Sequence, residues 1–259
     1  MKNSLLLKGL LLVLALSGCA TKSGGGSNAD SQQVLTRSQA SAKIHTELAA
    51  QYYERAQYKI ALDEINIALN AVSDYAPAYS VRGLIRMALR EDQQADEDFQ
   101  HSLKLNPNDS DTHNNYGWFL CQRGKELDSV PHFLAAVKNP LYSTPERAYL
   151  NAGLCSKKGG NTKAADEYLR KALAFRSDIP EALLGLSEIN YTNGNYVNAK
   201  SYFQRFIQRH AASATAANLW MAVHIERKLN DKVAENNYAM QMRKRFPNAH
   251  ETQLLQSGK

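Results

Sequence analysis

The sequence has only one apolar run of note, and that run is short. Leu10 to Leu16 falls well below the roughly 20 apolar residues that cross a hydrocarbon core, and no second long run follows. A transmembrane helix is therefore not expected. No segment has the pattern of a strand pair either, so the first expectation is an α-helical protein.

Recognisable catalytic motifs are also missing. The seven histidines are scattered, without His-Glu-x-x-His or Cys-x-x-Cys, and no serine stands in a Gly-x-Ser-x-Gly setting. Asp111 and His113 lie two residues apart at a helix start, so they do not face the same side of that helix. Glycine-rich stretches follow no strand, which argues against a phosphate-binding loop. We expect no enzyme, and no cofactor, metal or small-molecule substrate.

Basic residues exceed acidic residues only slightly. The formal net charge is +6 at pH 7, and without Lys2 and Lys8 it falls to +4, with 29 basic against 25 acidic side chains. The excess is spread along the chain and lacks the clustered basic stripe of a nucleic-acid binder. Nucleic acid is therefore not an expected partner.

Residues 1–18 have the features of a secretory signal peptide. Lys2 and Lys8 supply positive charge around the apolar run. The stretch Leu16-Ser17-Gly18-Cys19 resembles the lipobox of bacterial lipoproteins. This resemblance implies cleavage before Cys19 and its acylation by fatty acids such as palmitate, while Ala20 instead of aspartate implies anchoring in the outer membrane, facing the periplasm. The alternative is an ordinary signal peptide with an incidental cysteine.

Residues 19–41 are expected to form a flexible tether that begins at the lipidated Cys19. This segment is rich in Gly, Ser, Asn and Gln, with Gly24-Gly25-Gly26 near its centre. Such a composition does not bury enough apolar surface to become ordered. The tether would let the rest of the chain stand away from the membrane and reorient.

An internal repeat of about 34 residues extends over residues 42–248. Small residues recur at intervals of 34, 34, 36, 34 and 35 residues, at Ala61, Ala95, Ser129, Ala165, Ala199 and Ala234. Four residues later come large side chains, at Ile65, Phe99, Phe133, Leu169, Phe203 and Tyr238. Twelve residues before the first set are other small residues, at Ala49, Gly83, Gly117, Gly153, Ser187 and Ala222.

This spacing is typical of stacked helical hairpins. Two antiparallel helices pack closely only if one has a small residue where the other crosses it, and the large residue one turn later fills the space beside it. The pattern resembles the tetratricopeptide repeat. We therefore predict an all-α, right-handed superhelical solenoid of six tetratricopeptide-repeat helical hairpins, followed by a C-terminal tail over residues 249–259. The alternative is a generic helical bundle.

Two cysteines remain besides Cys19. Cys121 and Cys155 are 34 residues apart, one repeat length, and both fall in the second half of a first helix. Stacking would bring them close together, and an oxidising periplasm would allow a disulfide to persist. The sequence thus predicts a disulfide between them, with two buried free thiols as the alternative.

Two stretches go beyond the repeat consensus. They are Asn114 to Gly124, which reads NNYGWFLCQRG, and Tyr149 to Cys155, which reads YLNAGLC. With the lipobox and six repeats, they resemble the type IV pilus biogenesis lipoproteins of the PilF/PilW pilotin family. The resemblance implies a scaffold that binds the type IV pilus secretin subunit and promotes its outer-membrane localisation and multimer assembly. The alternative is a scaffold of another envelope machine, for outer-membrane protein insertion or recruitment of peptidoglycan hydrolases.

The partner is expected to bind in a groove formed by the first helices of the repeats. Residues three and four apart share a helix face, which allows the groove-facing positions to be assigned. Over the first four repeats they are Ala50, Tyr53, Leu84, Met87, Asn114, Asn115, Trp118, Leu150, Asn151 and Leu154. The fifth repeat would contribute Glu181 and Glu188. The apolar side chains would receive an apolar face of the partner, and the asparagines would hydrogen-bond to it.

Overall fold

The computed structural model describes residues 36–258, and within them every regular element is a helix. The first helices of the six hairpins are α1 (Arg37–Glu54), α3 (Ala76–Leu89), α5 (Ser110–Gln122), α7 (Pro145–Lys158), α9 (Pro180–Thr192) and α11 (Ala216–Lys228). The second helices are α2 (Tyr58–Ala71), α4 (Asp92–Leu105), α6 (Glu126–Ala136), α8 (Thr162–Phe175), α10 (Tyr196–His210) and α12 (Lys232–Arg245). These elements confirm the all-α fold of six hairpins.

The first repeat begins earlier than predicted, and the predicted C-terminal tail contains a helix. The helix α1 begins at Arg37, so residues 37–41 belong to the first repeat and not to the tether. Thr36 forms a capping box with Gln39, which satisfies free backbone amides at the start of this helix. Within the predicted C-terminal tail, a short helix α13 (His250–Gln256) contacts both α11 and α12. The predicted signal peptide, Cys19 and most of the tether lie outside the described residues.

Glycines let the two helices of a hairpin approach closely, as the repeat pattern predicts. A Cβ atom added to Gly83 would lie 2.9 Å from the ring of Phe99, and one added to Gly117 would lie 2.8 Å from the ring of Phe133. At Gly153 the added atom would lie 2.6 Å from Leu169 Cδ2. Contacts this short would force the neighbouring side chain or helix to shift, so the small residue favours the close crossing.

The first helices lie on the inner side of the stack. Each first helix contacts the first helix of the next repeat, whereas no two second helices of the described chain contact each other. When stacked hairpins are closer together at their first helices than at their second helices, the array curves. The first helices then form its inner surface. The concave surface is therefore made by α1, α3, α5, α7, α9 and α11.

The sixth repeat departs from the predicted register. In the fifth repeat the buried positions of α9 include Leu183, Leu186, Ser187 and Asn190, and the same pattern reappears 36 residues later at Leu219, Ala222, Val223 and Glu226. A short 3-10 helix (Ala211–Ser213) lengthens the preceding connection. As a result, Ala234 and Tyr238, predicted as core positions, are only half-buried.

None of the helices in residues 36–258 combines the length and the apolar character needed to span a bilayer.

Candidate partner-binding groove

An open cavity of about 350 Å³ lies on the concave surface between the first helices of the first four repeats. Four of the predicted groove residues line it together: Ala50 and Tyr53 from α1, Leu84 from α3 and Asn115 from α5. The cavity also contains residues that sequence reasoning missed, namely Glu54, Pro77, Ser80, Val81, Asp109, Asp111, Thr112 and Arg147. We call this cavity the N-terminal groove.

The helix register explains why these side chains reach the groove. Ala49 and Gly83 are the small, buried residues at two helix crossings. Ala50 directly follows Ala49, and Leu84 directly follows Gly83. A side chain one position further round the helix turns away from the crossing and toward the concave side. Tyr53 and Leu84 are half-buried, so they still offer apolar surface there.

Acidic side chains line the N-terminal groove alongside its apolar ones. Asp109 caps α5, where its carboxylate accepts a hydrogen bond of 2.6 Å from the Thr112 amide. Desolvation by surrounding atoms and, next, the charge of Asp109 raise the pKa of Asp111 above its usual value, although Arg147 opposes this shift. The groove therefore places carboxyl groups close to an apolar surface.

The other apolar residues assigned to the groove are half-buried and contribute to the core from its concave side. Met87 packs with Leu84 against the cluster around Phe99. Trp118 packs against the cluster that contains both Cys121 and Cys155. Leu150 and Leu154 pack against the core of the C-terminal repeats. These four residues do not line the N-terminal groove.

Asn114 does not face a partner, which corrects the sequence prediction. Its side chain is 2 % exposed, and its Oδ1 accepts a hydrogen bond of 3.0 Å from Nδ2 of Asn151. This bond also uses one of the two N–H donors of the Asn151 side chain. The side chain of Asn115 donates a long hydrogen bond of 3.4 Å to Ser80 Oγ and remains in the groove.

A second open cavity of about 350 Å³ lies on the concave surface of the fifth and sixth repeats. It is lined by Leu184, Glu188, Tyr191, Ala217, Asn218, Trp220, Met221 and His224. Of these, sequence reasoning had named only Glu188, which is paired with Lys157 of the fourth repeat. The aromatic residues were not assigned from the sequence: Tyr191 lies in the fifth repeat, whose register is regular, and Trp220 lies in the sixth, whose register differs from the regular period.

The structure joins Cys121 and Cys155 in the predicted disulfide, with 5.9 Å between their Cα atoms. Both cysteines are buried, and the bond connects α5 of the third repeat to α7 of the fourth. It therefore clamps two neighbouring first helices at the concave layer. Within residues 36–258, no group of three or more His, Cys, Asp or Glu side chains is arranged to hold a metal ion.

Comparisons with known proteins agree with this architecture. Tetratricopeptide-repeat models match residues 76–109, 99–130, 146–178 and 181–213. The type IV pilus assembly protein PilF of Pseudomonas aeruginosa is 25 % identical over 252 residues, which cover 96 % of each chain. The crystal structure of PilW, a widely conserved type IV pilus biogenesis factor, is 32 % identical with a TM-score of 0.73, covering 83 % of this chain and 97 % of PilW.

The solved structure of Pseudomonas aeruginosa PilF has the same fold. Its sequence is 23 % identical to this chain and its TM-score is 0.79. The match covers 86 % of this chain and 100 % of PilF.

Proposed function

The chain belongs to the family of type IV pilus biogenesis proteins built from tetratricopeptide repeats, and from this premise we propose that it is a pilotin. In this role it is an outer-membrane lipoprotein that binds the type IV pilus secretin subunit and promotes its localisation and multimer assembly. The observation that carries the proposal is the N-terminal groove, where Tyr53, Val81 and Leu84 offer apolar surface beside polar groups.

A groove of this kind suits recognition of a protein segment. Stacked first helices present a preformed surface, because each is held by its own hairpin and by its neighbours. An amphipathic helix or an extended segment of the secretin lays its apolar face into such a groove. The Cys121–Cys155 disulfide keeps the third and fourth repeats together on the same concave layer. The protein acts by binding, without catalysis.

Anchoring is part of the proposal and rests on the lipobox-like stretch that ends at Cys19. Acylation requires the thiol, so Cys19→Ala should leave the protein uncleaved in the inner membrane or soluble in the periplasm. Membrane fractionation in cells that lack the secretin tests this, since secretin binding then cannot retain the protein. If the variant still fractionates with outer membranes there, the lipid anchor is wrong.

Binding measurements test the groove itself. Tyr53→Ala and Leu84→Ala should weaken capture of the purified periplasmic region of the secretin, since an interface anchor contributes about 2 kcal/mol, which is roughly thirtyfold in affinity. The matched control is Ile67→Ala, which removes an exposed apolar side chain from α2 on the outer layer. If both groove variants bind like the control while they remain folded, the groove is not the binding site.

Cross-linking in intact membranes tests the identity of the partner. The proposal expects the secretin subunit to be the trapped protein. Capture of a barrel-assembly component or of a peptidoglycan hydrolase instead would assign the chain to another envelope machine.

A further inference from the structure

The unpaired carboxylates of the N-terminal groove lead to a more specific statement about its ligand. Ion pairs neutralise many acidic side chains elsewhere in the described chain. Buried Asp98 is bound by both Arg82 and Arg86, and buried Glu226 is bound by Lys200. In the groove, by contrast, Glu54, Asp109 and Asp111 form no ion pair with a basic side chain of residues 36–258, although Arg147 lines the same cavity.

We infer that the N-terminal groove recognises a segment in which a lysine or arginine lies next to aliphatic or aromatic side chains. The inference rests on the proposed function, since it describes the secretin segment that would occupy the groove. The apolar part of the segment packs on Tyr53, Val81 and Leu84, which come from α1 and α3. The basic side chain reaches the carboxylates that the end of α1 and the start of α5 provide.

Three carboxylates against one guanidinium leave an excess of negative charge in the groove. Of these three carboxylates, Asp109 also adds to the raised pKa of Tyr75, after desolvation and the charge of Glu47. A cation from a ligand would relieve this excess of charge, whereas an anion would add to it.

The apolar part alone would be a weak basis for specificity. Many exposed segments carry leucine or valine, and an apolar groove discriminates poorly between them. A charge placed at one end of the groove adds direction and register, because a segment bound backwards would leave its cation away from the carboxylates. The groove thus selects the order of side chains as well as their polarity.

Charge variants of the full-length protein, purified from membranes, test the inference against the periplasmic region of the secretin. Asp111→Asn and Glu54→Gln should each weaken binding about two- to fivefold, because the lost attraction is that of a solvent-accessible pair. Arg147→Gln should tighten binding, since it removes the opposing charge. The matched control is Asp63→Asn, an exposed carboxylate on the outer helix α2. Circular dichroism must show that all variants keep their helices.

Overlapping peptides that cover the periplasmic region give a second readout. The peptides retained by the wild-type protein should carry lysine or arginine beside apolar residues, and norleucine in place of the basic residue should weaken binding. Retained peptides without a basic residue, or carboxylate variants that bind normally while Leu84→Ala weakens binding, overturn this inference and leave the proposed function standing. Tighter binding by the carboxylate variants would show that Arg147 recognises an acidic segment. If the secretin does not bind the wild-type protein, the proposed function fails first.

Discussion

Asn151 donates a hydrogen bond from its Nδ2 to the Oδ1 of Asn114 over 3.0 Å, and this bond joins α7 of the fourth repeat to α5 of the third. Asn114 is almost fully buried, while Asn151 is half-buried. The two side chains therefore satisfy each other at the junction between repeats. Together with the nearby Cys121–Cys155 disulfide, they connect neighbouring first helices on the concave layer by both a polar and a covalent link.

The first prediction concerns this asparagine pair. Asn151→Ala leaves the buried Asn114 oxygen without its donor, so the free energy of unfolding should fall by about 1 to 3 kcal/mol. Asn114→Ala should cost a similar amount, and the double variant should cost less than the sum because both remove the same bond. Urea unfolding of the four proteins measures this coupling. Strictly additive effects would mean that the bond does not contribute.

The second prediction concerns the disulfide. Replacing Cys121 and Cys155 together by alanine should lower the free energy of unfolding by about 3 to 4 kcal/mol, because the bond closes a long loop and restricts the unfolded chain. Denaturant unfolding of this variant and of the wild type, with and without reductant, measures the loss. Reductant should destabilise only the wild type. Alkylation of both cysteines in the unreduced, denatured wild-type protein would contradict the disulfide.

The third prediction compares two glycines that press on the same leucine. A Cβ at Gly153 would meet both Cδ2 of Leu169, at 2.6 Å, and its backbone nitrogen, at 3.1 Å. One at Gly185 would meet only Cδ1 of Leu169, at 2.9 Å, the end of a flexible side chain. Alanine in a helix interior is intrinsically favoured over glycine by about 1 kcal/mol.

We therefore expect Gly153→Ala to destabilise the protein by about 1 to 3 kcal/mol through overpacking, and Gly185→Ala to change its stability little. Thermal unfolding of the two variants side by side measures the difference. Equal melting temperatures would show that the helix crossing of the fourth repeat tolerates a methyl group at Gly153.

The fourth prediction concerns pH and a pair of histidines. His113 Nε2 donates to the carbonyl oxygen of Pro107 over 3.0 Å, so its Nδ1 is the acceptor for Nδ1–H of His132, also at 3.0 Å. Desolvation and, next, the charge of His113 lower the pKa of His132 below its usual value. The unfolded chain therefore binds a proton at a higher pH than the folded protein does.

Linkage gives the sign of the effect. The stability associated with a neutral His132 is present above the pKa of a free histidine, near 6.5, and is lost as pH falls toward the lower pKa of the folded state. Melting temperatures at neutral and mildly acidic pH should decrease more for the wild type than for His132→Phe. A variant that loses as much stability as the wild type on acidification would rule out this pair as the cause.

Much of the fold follows from the sequence because each repeat carries its own packing rule. The spacing of Gly83 to Ala95 and Phe99 recurs in the third and fourth repeats, and all three positions are buried in each. The disulfide followed from the same period, since two cysteines one repeat apart occupy equivalent places on neighbouring helices. Local spacing is sufficient for such features because contacts in a solenoid are made within a hairpin or between adjacent ones.

The sequence pattern is insufficient where a rotation of a helix about its axis by a few tens of degrees decides whether a side chain faces the core or the groove. Asn114 was assigned to the groove and is buried, while its neighbour Asn115 lines the cavity. Successive residues on a helix point about 100° apart, and a modest error in the phase of the helix exchanges an inward side chain for an exposed one. Sequence spacing does not determine that phase to the required accuracy.

The sequence by itself determined the helical class, the number of hairpins, the crossing residues of the first five repeats and the cysteine pair, because these depend on spacing within one repeat or between neighbours. Tertiary structure alone decided which side chains share a cavity. Glu54, Asp111 and Arg147 meet although they come from three repeats, and Tyr191 meets Trp220 across a connection that shifts the register. The physical reason is that a groove depends on the accumulated rotation between stacked hairpins, which the packing of all side chains sets together.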